Sequence, residues 1–236
     1  TLDQDKIDAL NKKIQKKIDE QFEKSQKKID AGKKKVESGK SSISQGSEQL
    51  NSAINQTMNQ QKKLYKTEQD LKKQLAELKK QKASLEQIQT GIQTFMKSDA
   101  YTGIVTVLKD NPQLAESSEM QAQIKQVNAV VKKQFSALSS LGITVNTYED
   151  LPAASAEVGK LLTKVNTGMK TIERAQQKVE SGKVSLASAL DTLNANASMT
   201  ALQVSASSTE LANAASSLES AQSKLDEAKD TAHDSA

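Results

Sequence analysis

The amino-acid sequence predicts an all-α fold: a long antiparallel coiled-coil hairpin with a small, mostly helical head at its tip. Three observations lead there. Ten positions seven residues apart, Ile29, Val36, Ile43, Leu50, Thr57, Leu64, Leu71, Leu78, Leu85 and Ile92, are aliphatic at all but Thr57. A seven-residue apolar repeat held this long keeps one seam of an α-helix turned toward a partner helix. The pattern returns at Val158, Val165, Ile172, Val179, Leu186 and Leu193, then at Val204, Leu211, Leu218 and Leu225. Between the two runs the composition changes. Four of the six aromatic residues, Phe95, Tyr101, Phe135 and Tyr148, lie in or beside residues 96–157, as do both prolines, Pro112 and Pro152. The expected domains are an ascending arm over 1–95, a helical head over 96–157 and a descending arm over 158–236.

Composition agrees with this reading. Of 236 residues, 26% are charged and only 3% aromatic, with no Trp. A compact globule of this length needs more large rings, whereas a coiled-coil seam needs only Leu, Ile, Val and Ala. The lack of proline in either heptad run leaves both arms free of helix breakers. The absence of cysteine excludes disulfides, thiolate catalysis and cysteine metal sites. No segment approaches the roughly 18 apolar residues that cross a bilayer. The longest apolar stretch runs only from Gly103 to Leu108. Polar helical patterns at both ends, without a signal peptide, read as a segment of a larger protein.

The formal charge of +4 is unevenly spread. Residues 1–95 hold 20 Lys against 13 acids, 96–157 hold 5 against 7, and 158–236 hold 8 basic residues against 9 acids. A basic arm can attract anionic polymers. Yet Arg174 is the sole arginine, and phosphate or base readout favours the planar, two-pronged guanidinium. The lysines therefore read as a solvated helix face, with no specific nucleic-acid partner.

In the ascending arm, Ile7, Leu10, Ile14, Ile18 and Phe22 are out of step with the later register, a stutter that locally unwinds a supercoil. An arm of about 90 residues extends on the order of 135 Å. The second seam position carries Gly32, Gly39, Gly46 and Ala53, each three residues after a large aliphatic. The descending arm repeats the device with Gly168, Ala175, Gly182 and Ala189, then Ala214, Ala221 and Ala228. Each glycine costs up to about 1 kcal/mol of helix propensity, and in-register repetition points to close backbone approach.

Antiparallel pairing of residues whose numbers sum to about 250 sets Ile92 against Val158 and Ile29 beside Ala221. It also brings Thr57 level with Leu193, where the spacing to Val204 is eleven rather than seven. An eleven-residue step corrects register in the opposite supercoil hand. In the head, Met120, Ile124, Val127, Val131, Phe135 and Leu138 space as an amphipathic helix that Gly142 ends as a left-handed cap. Ile143 to Val145 read as extended, and Asp150-Leu151-Pro152 as the start of the second arm. The head's rings read as the core of a small cap, with a partner-binding surface as the other use of the same residues.

No residue pattern in the sequence supplies catalytic or metal chemistry. Gly39-Lys40-Ser41 resembles the end of a phosphate-binding loop, but Lys34 stands where the motif needs glycine, and a helix runs where it needs a strand. His233, the one histidine, cannot supply a catalytic triad or a zinc site by itself. Asp3, Asp5 and Asp8 lack the glycine turn and terminal Glu of a calcium loop, and read as a solvated helix start. No catalytic, metal-ligating or cofactor-binding residue is assigned, no cofactor is expected, and the chain does not read as an enzyme.

The phrases Ile29-Asp-Ala-Gly-Lys-Lys-Lys-Val-Glu-Ser-Gly-Lys and Val179-Glu-Ser-Gly-Lys-Val-Ser-Leu-Ala-Ser-Ala-Leu resemble heptads of extracellular coiled coils in Gram-positive membrane transporters. The stretch from Leu211 to Asp230 is similar to the descending arm of resistance–nodulation–division (RND) efflux permeases of Firmicutes. FtsX-like ABC permeases carry similar repeats, as do surface proteins of the phage-infection and type VII secretion families. The likeness covers residues 29–95 and 158–230, not the head. It implies membrane spans flanking this segment, a hairpin on the outer side of the membrane, and transport chemistry in other domains. Expected partners are a protein or cell-wall component at the head, and self-association. Membrane contact is expected only through flanking segments absent from this chain. The alternatives are the extracellular region of a phage-receptor or type VII secretion surface protein and, of another class, a cytosolic coiled-coil arm of a chromosome-organising ATPase. From close packing alone, replacing Gly39, Gly46 and Gly182 by Leu is expected to lower the melting temperature of the purified chain.

Overall fold

Two long helices carry most of the chain, and neither contains a proline beyond its first turn among the described residues. The computed structural model describes the backbone of residues 2–234 and the side chains of residues 3–232. Helix α1 spans Leu2–Met96, and α4 spans Leu151–Asp234. Between them lie α2 (Asp99–Asp110), a 3₁₀ turn over Pro112–Glu116, α3 (Ser118–Gln134), and further 3₁₀ turns over Ser136–Leu141 and Tyr148–Asp150. No strand occurs among the described residues. The all-α hairpin with a helical head is thus the observed fold. The chain divides into two units, one formed by Thr1–Lys62 with Val184–Ala236 and the other by Lys63–Lys183.

In the first unit, α1 and α4 run antiparallel, and glycine notches fix their register. The position a Cβ of Gly32 would occupy lies 3.0 and 3.2 Å from the two methyls of Leu218; at Gly39 the corresponding distances to Leu211 are 3.2 and 3.3 Å. Both pairs sum to 250, the predicted register. Ile29, Val36 and Leu225 are buried in the same seam. Gln26 and Gln222 exchange amide hydrogen bonds, Nε2 of each donating to Oε1 of the other at 2.6 and 2.7 Å. A polar pair set into an apolar seam favours one register, because sliding leaves its donors and acceptors unpartnered. Thr57, the polar interruption, donates its hydroxyl to the Ala53 carbonyl at 2.9 Å and so stays satisfied.

The second seam position departs from the expectation in part of this unit. Gly46 is exposed and nothing lies within 4 Å of a Cβ placed there, while Ser47 turns inward instead. Ala189, Ala214, Ala221 and Ala228 are likewise exposed, and Leu190, Ala215, Gln222 and Lys229 take the inward positions. The cause is geometric. Inward residues of α4 follow steps of three and four, but 182–186–190 and 207–211–215 take two steps of four in a row. Each such step rotates the facing side by part of a turn relative to a strict heptad.

In the second unit the notches continue with a different offset. Leu78 lies 3.3 Å from the Cβ position of Gly168, and Leu64 lies 3.1 Å from that of Gly182. Both pairs sum to 246. The expected alignment of Ile92 with Val158 is therefore four residues out, and Ile92 comes level with Ala154. Those four residues match the excess of the eleven-residue Leu193–Val204 step over a heptad. Glu68 also bridges the two helices, its carboxylate 3.0 Å from the Lys183 ammonium and 3.4 Å from that of Lys72. The Lys183 bond, followed by that of Lys72, holds the Glu68 carboxyl below the usual carboxylate range against the opposing effect of burial.

The head folds onto the end of this unit. Ser98 caps α2, accepting from the Tyr101 N–H at 3.4 Å, and Ser117 caps α3, accepting from Met120 N–H at 3.2 Å. Pro112 excludes Asn111 from helical geometry, and Asn111 at φ −142° ends α2. Helix α3 does not run on to Gly142 as expected. It ends at Phe135, and a 3₁₀ turn continues to Leu141. In 3₁₀ geometry residues three apart share a face, which lets both Phe135 and Leu138 enter the core at 6% and 1% exposure. Gly142, at φ +77°, then reverses the chain as the left-handed cap. Ile143 and Val145 are buried with Thr144 exposed between them, the alternation of extended backbone without strand pairing.

Ile92, Val131, Leu151 and Val158 are fully buried in one cluster with Ile104, Leu138 and Ala154. Phe135, Phe95, Tyr101 and Tyr148 form a chain of edge-to-face rings with centroids 6.0, 6.4 and 6.2 Å apart. These four rings of the head therefore belong to its core. The glycines separate into two classes with opposite expected responses. Gly46→Ala meets no neighbour and gains helix propensity, so the chemical-denaturation free energy of the chain is expected to rise by up to about 1 kcal/mol. Gly39→Leu must displace Leu211 and is expected to lower it by about 1–3 kcal/mol.

Candidate functional site

Gly39-Lys40-Ser41 lies within α1, with Leu211 packed on Gly39, so its backbone N–H groups serve the helix and cannot cradle a phosphate. Asp3 and Asp5 sit in the first turn of α1, where carboxylates suit the helix dipole. Asp8 accepts from Gln4 one turn earlier at 3.3 Å. The side chain of His233 lies outside the described residues. Among the described residues, no three His, Cys, Asp or Glu approach closely enough to hold a metal ion, and no helix is long and apolar enough to cross a membrane.

The feature with room for a partner lies where the head meets the two arms. The 3₁₀ turn that begins after Phe135 aligns Phe135, Leu138 and Leu141 on one face. The first two are buried, but Leu141 runs off the end of the core and stays 41% exposed. Beneath it, Leu85 and Ile88 of α1 and Leu161 and Val165 of α4 floor an open groove of about 550 Å³. Lys80 of α1 and Lys164 of α4 also line it, with Glu77, Gln81, Ser84 and Ser140 as the other polar residues of its rim. An apolar floor under a polar rim is the arrangement of a docking surface. Sequence reasoning missed it because the helix break at Phe135 has no proline or glycine to announce it. The available signal was the three-residue spacing of Phe135, Leu138 and Leu141.

Polar contacts hold the surrounding frame. Gln89 Nε2 donates to the Ser155 carbonyl at 3.1 Å and receives the Ser155 hydroxyl on Oε1 at 3.3 Å, tying α1 to α4. Asn128 Oδ1 accepts the Tyr148 N–H at 2.9 Å. Asp150 accepts the N–H groups of Asn146 and Thr147 at 2.8 and 3.0 Å. These bonds, Asn146 first, hold its carboxyl below the usual carboxylate range. Burial raises the Tyr101 and Tyr148 hydroxyls. A second open groove, in the first unit, is lined by Gly46, Leu50, Asn196, Met199 and Thr200 among others. It lies where α4 passes through the eleven-residue step.

No protein-family model, no curated protein and no solved structure matches the chain.

Because Asp150 is depressed in the folded state, its contribution is complete above the unfolded carboxylate pKa and is lost as pH falls through the lower folded value. Asp150→Ala is expected to lower the near-ultraviolet circular dichroism melt of the ring cluster at neutral pH. The gap from wild type should close once the pH drops below the folded pKa of Asp150; a gap independent of pH would mean the charge plays no part.

Proposed function

We propose that the chain is a non-catalytic extracellular coiled-coil stalk of a membrane transporter permease, most like those of the RND efflux type. In this reading it holds its head to dock an adapter protein or cell-wall component, or to transmit conformational change. The observation that supports the reading best is the closeness of the outgoing and returning helices in the first unit. Gln26 and Gln222 are reciprocally bonded, and the Lys229 ammonium stands 5.9 Å from the Phe22 ring centroid. A segment inserted between two neighbouring membrane spans requires its outgoing and returning helices to run side by side, as these do at Gln26–Gln222 and Phe22–Lys229. The resemblance of both arms to transporter coiled coils supports a permease as the host.

The cysteine-free sequence makes the test direct. Ser140→Cys, placed at the rim of the head groove in the full-length gene product lacking other reactive cysteines, is expected to react with a membrane-impermeant maleimide on intact cells. Reaction only after permeabilisation would reject the extracellular stalk and favour the cytosolic arm of a chromosome-organising ATPase.

A further inference from the structure

We propose that the groove under Leu141 is a docking site for an acidic amphipathic helix of a partner protein. The proposal deepens the docking role suggested above and rests on that role, but not on the compartment. Shape supplies the first argument. Leu85, Ile88, Leu161 and Val165 present aliphatic surface from two antiparallel helices, and Leu141 overhangs it while 41% exposed. Such a trough takes aliphatic anchors spaced three and four residues apart on a helix. The groove is open, so a single acyl chain laid in it would stay wet on one side. A helix brings its own polar face as a cover.

Charge supplies the second argument and fixes the sign of the partner. Lys80 lines the groove from α1 and Lys164 from α4, and neither has an ion-pair partner among the described residues. Four other lysines of this unit are paired: Lys72 and Lys183 with Glu68, Lys82 with Glu86, and Lys160 with Glu157. Glu77 is the one acid at the rim, which leaves the groove with one net positive charge. The surrounding unit, Lys63–Lys183, holds 18 basic residues against 13 acids, a net +5, whereas the other unit holds 15 against 16. Two ammonium groups against the single Glu77 carboxylate, in a groove that also holds an exposed leucine, are complementary to carboxylates flanking an aliphatic anchor.

The test is a selection of displayed helix-forming peptides, about 16 residues long, on the whole purified chain. Enriched peptides are expected to carry aliphatic residues at helical spacing flanked by Asp or Glu. Synthetic copies should bind about tenfold more weakly to the double variant Lys80→Glu, Lys164→Glu and to Leu141→Ser. All these positions are exposed, so the variants should keep wild-type helicity and melting. Lysine-flanked versions of the same peptides should prefer the charge-reversed chain. The proposal is overturned if no peptide is enriched, or if binding ignores these substitutions. It is equally overturned if phosphatidylglycerol vesicles, rather than peptides, bind through these residues. The readout uses purified chain, so a failed cell-surface labelling would remove the transporter reading and leave this one standing, and the reverse also holds.

Discussion

Leucine seated in the notch left by a missing Cβ is the interaction on which the rest of the structure depends. Glycine inside a helix is unfavourable by up to about 1 kcal/mol, and the arms accept that cost at Gly32, Gly39, Gly168 and Gly182. In return the facing helix brings Leu218, Leu211, Leu78 and Leu64 into contact at 3.0–3.3 Å from where a Cβ would stand. The devices are reciprocal. In one unit the glycines belong to α1 and the leucines to α4, and in the other the assignment reverses. Because notch and knob must coincide, the pairs that bring the helices close also set the register, and the Gln26–Gln222 amide pair penalises any slip. A smooth leucine seam would hold the helices together but discriminate poorly among registers.

The head follows a different logic within the same helical vocabulary. Its core rests on a chain of four edge-to-face rings and fully buried aliphatics drawn from both arms and from α2 and α3. Breaking α3 at Phe135 orders that core, since the tighter 3₁₀ path sends Phe135 and Leu138 the same way. The same turn leaves Leu141 beyond the core, above Leu85 and Val165. The groove is thus a by-product of how the head closes its core. Its unpaired lysines give it a chemical preference that packing alone would not.

The heptads from Ile29 to Ile92 and from Val158 to Leu225 made the two arms legible, as did the prolines and rings that set the head apart. Gly142 as a left-handed cap and the beginning of α4 at Leu151 beside Pro152 were also readable, because each rests on a backbone preference of the residue itself. The positions misread were those where the partner decides. Gly46 repeats the spacing of Gly32 and Gly39, yet Ser47 faces inward. Ala214, Ala221 and Ala228 keep heptad spacing among themselves, yet Ala215, Gln222 and Lys229 take the seam.

Sequence alone determined the helical class, the antiparallel return and the small-residue notches, because a helix exposes its side chains with a fixed period that composition and spacing reveal. Tertiary structure decided which of two adjacent residues faces the partner, the offset of 246 against 250, and the break at Phe135. These depend on the rotation of one helix against another and on how a shared core fills, and neither quantity is carried by any single stretch of chain.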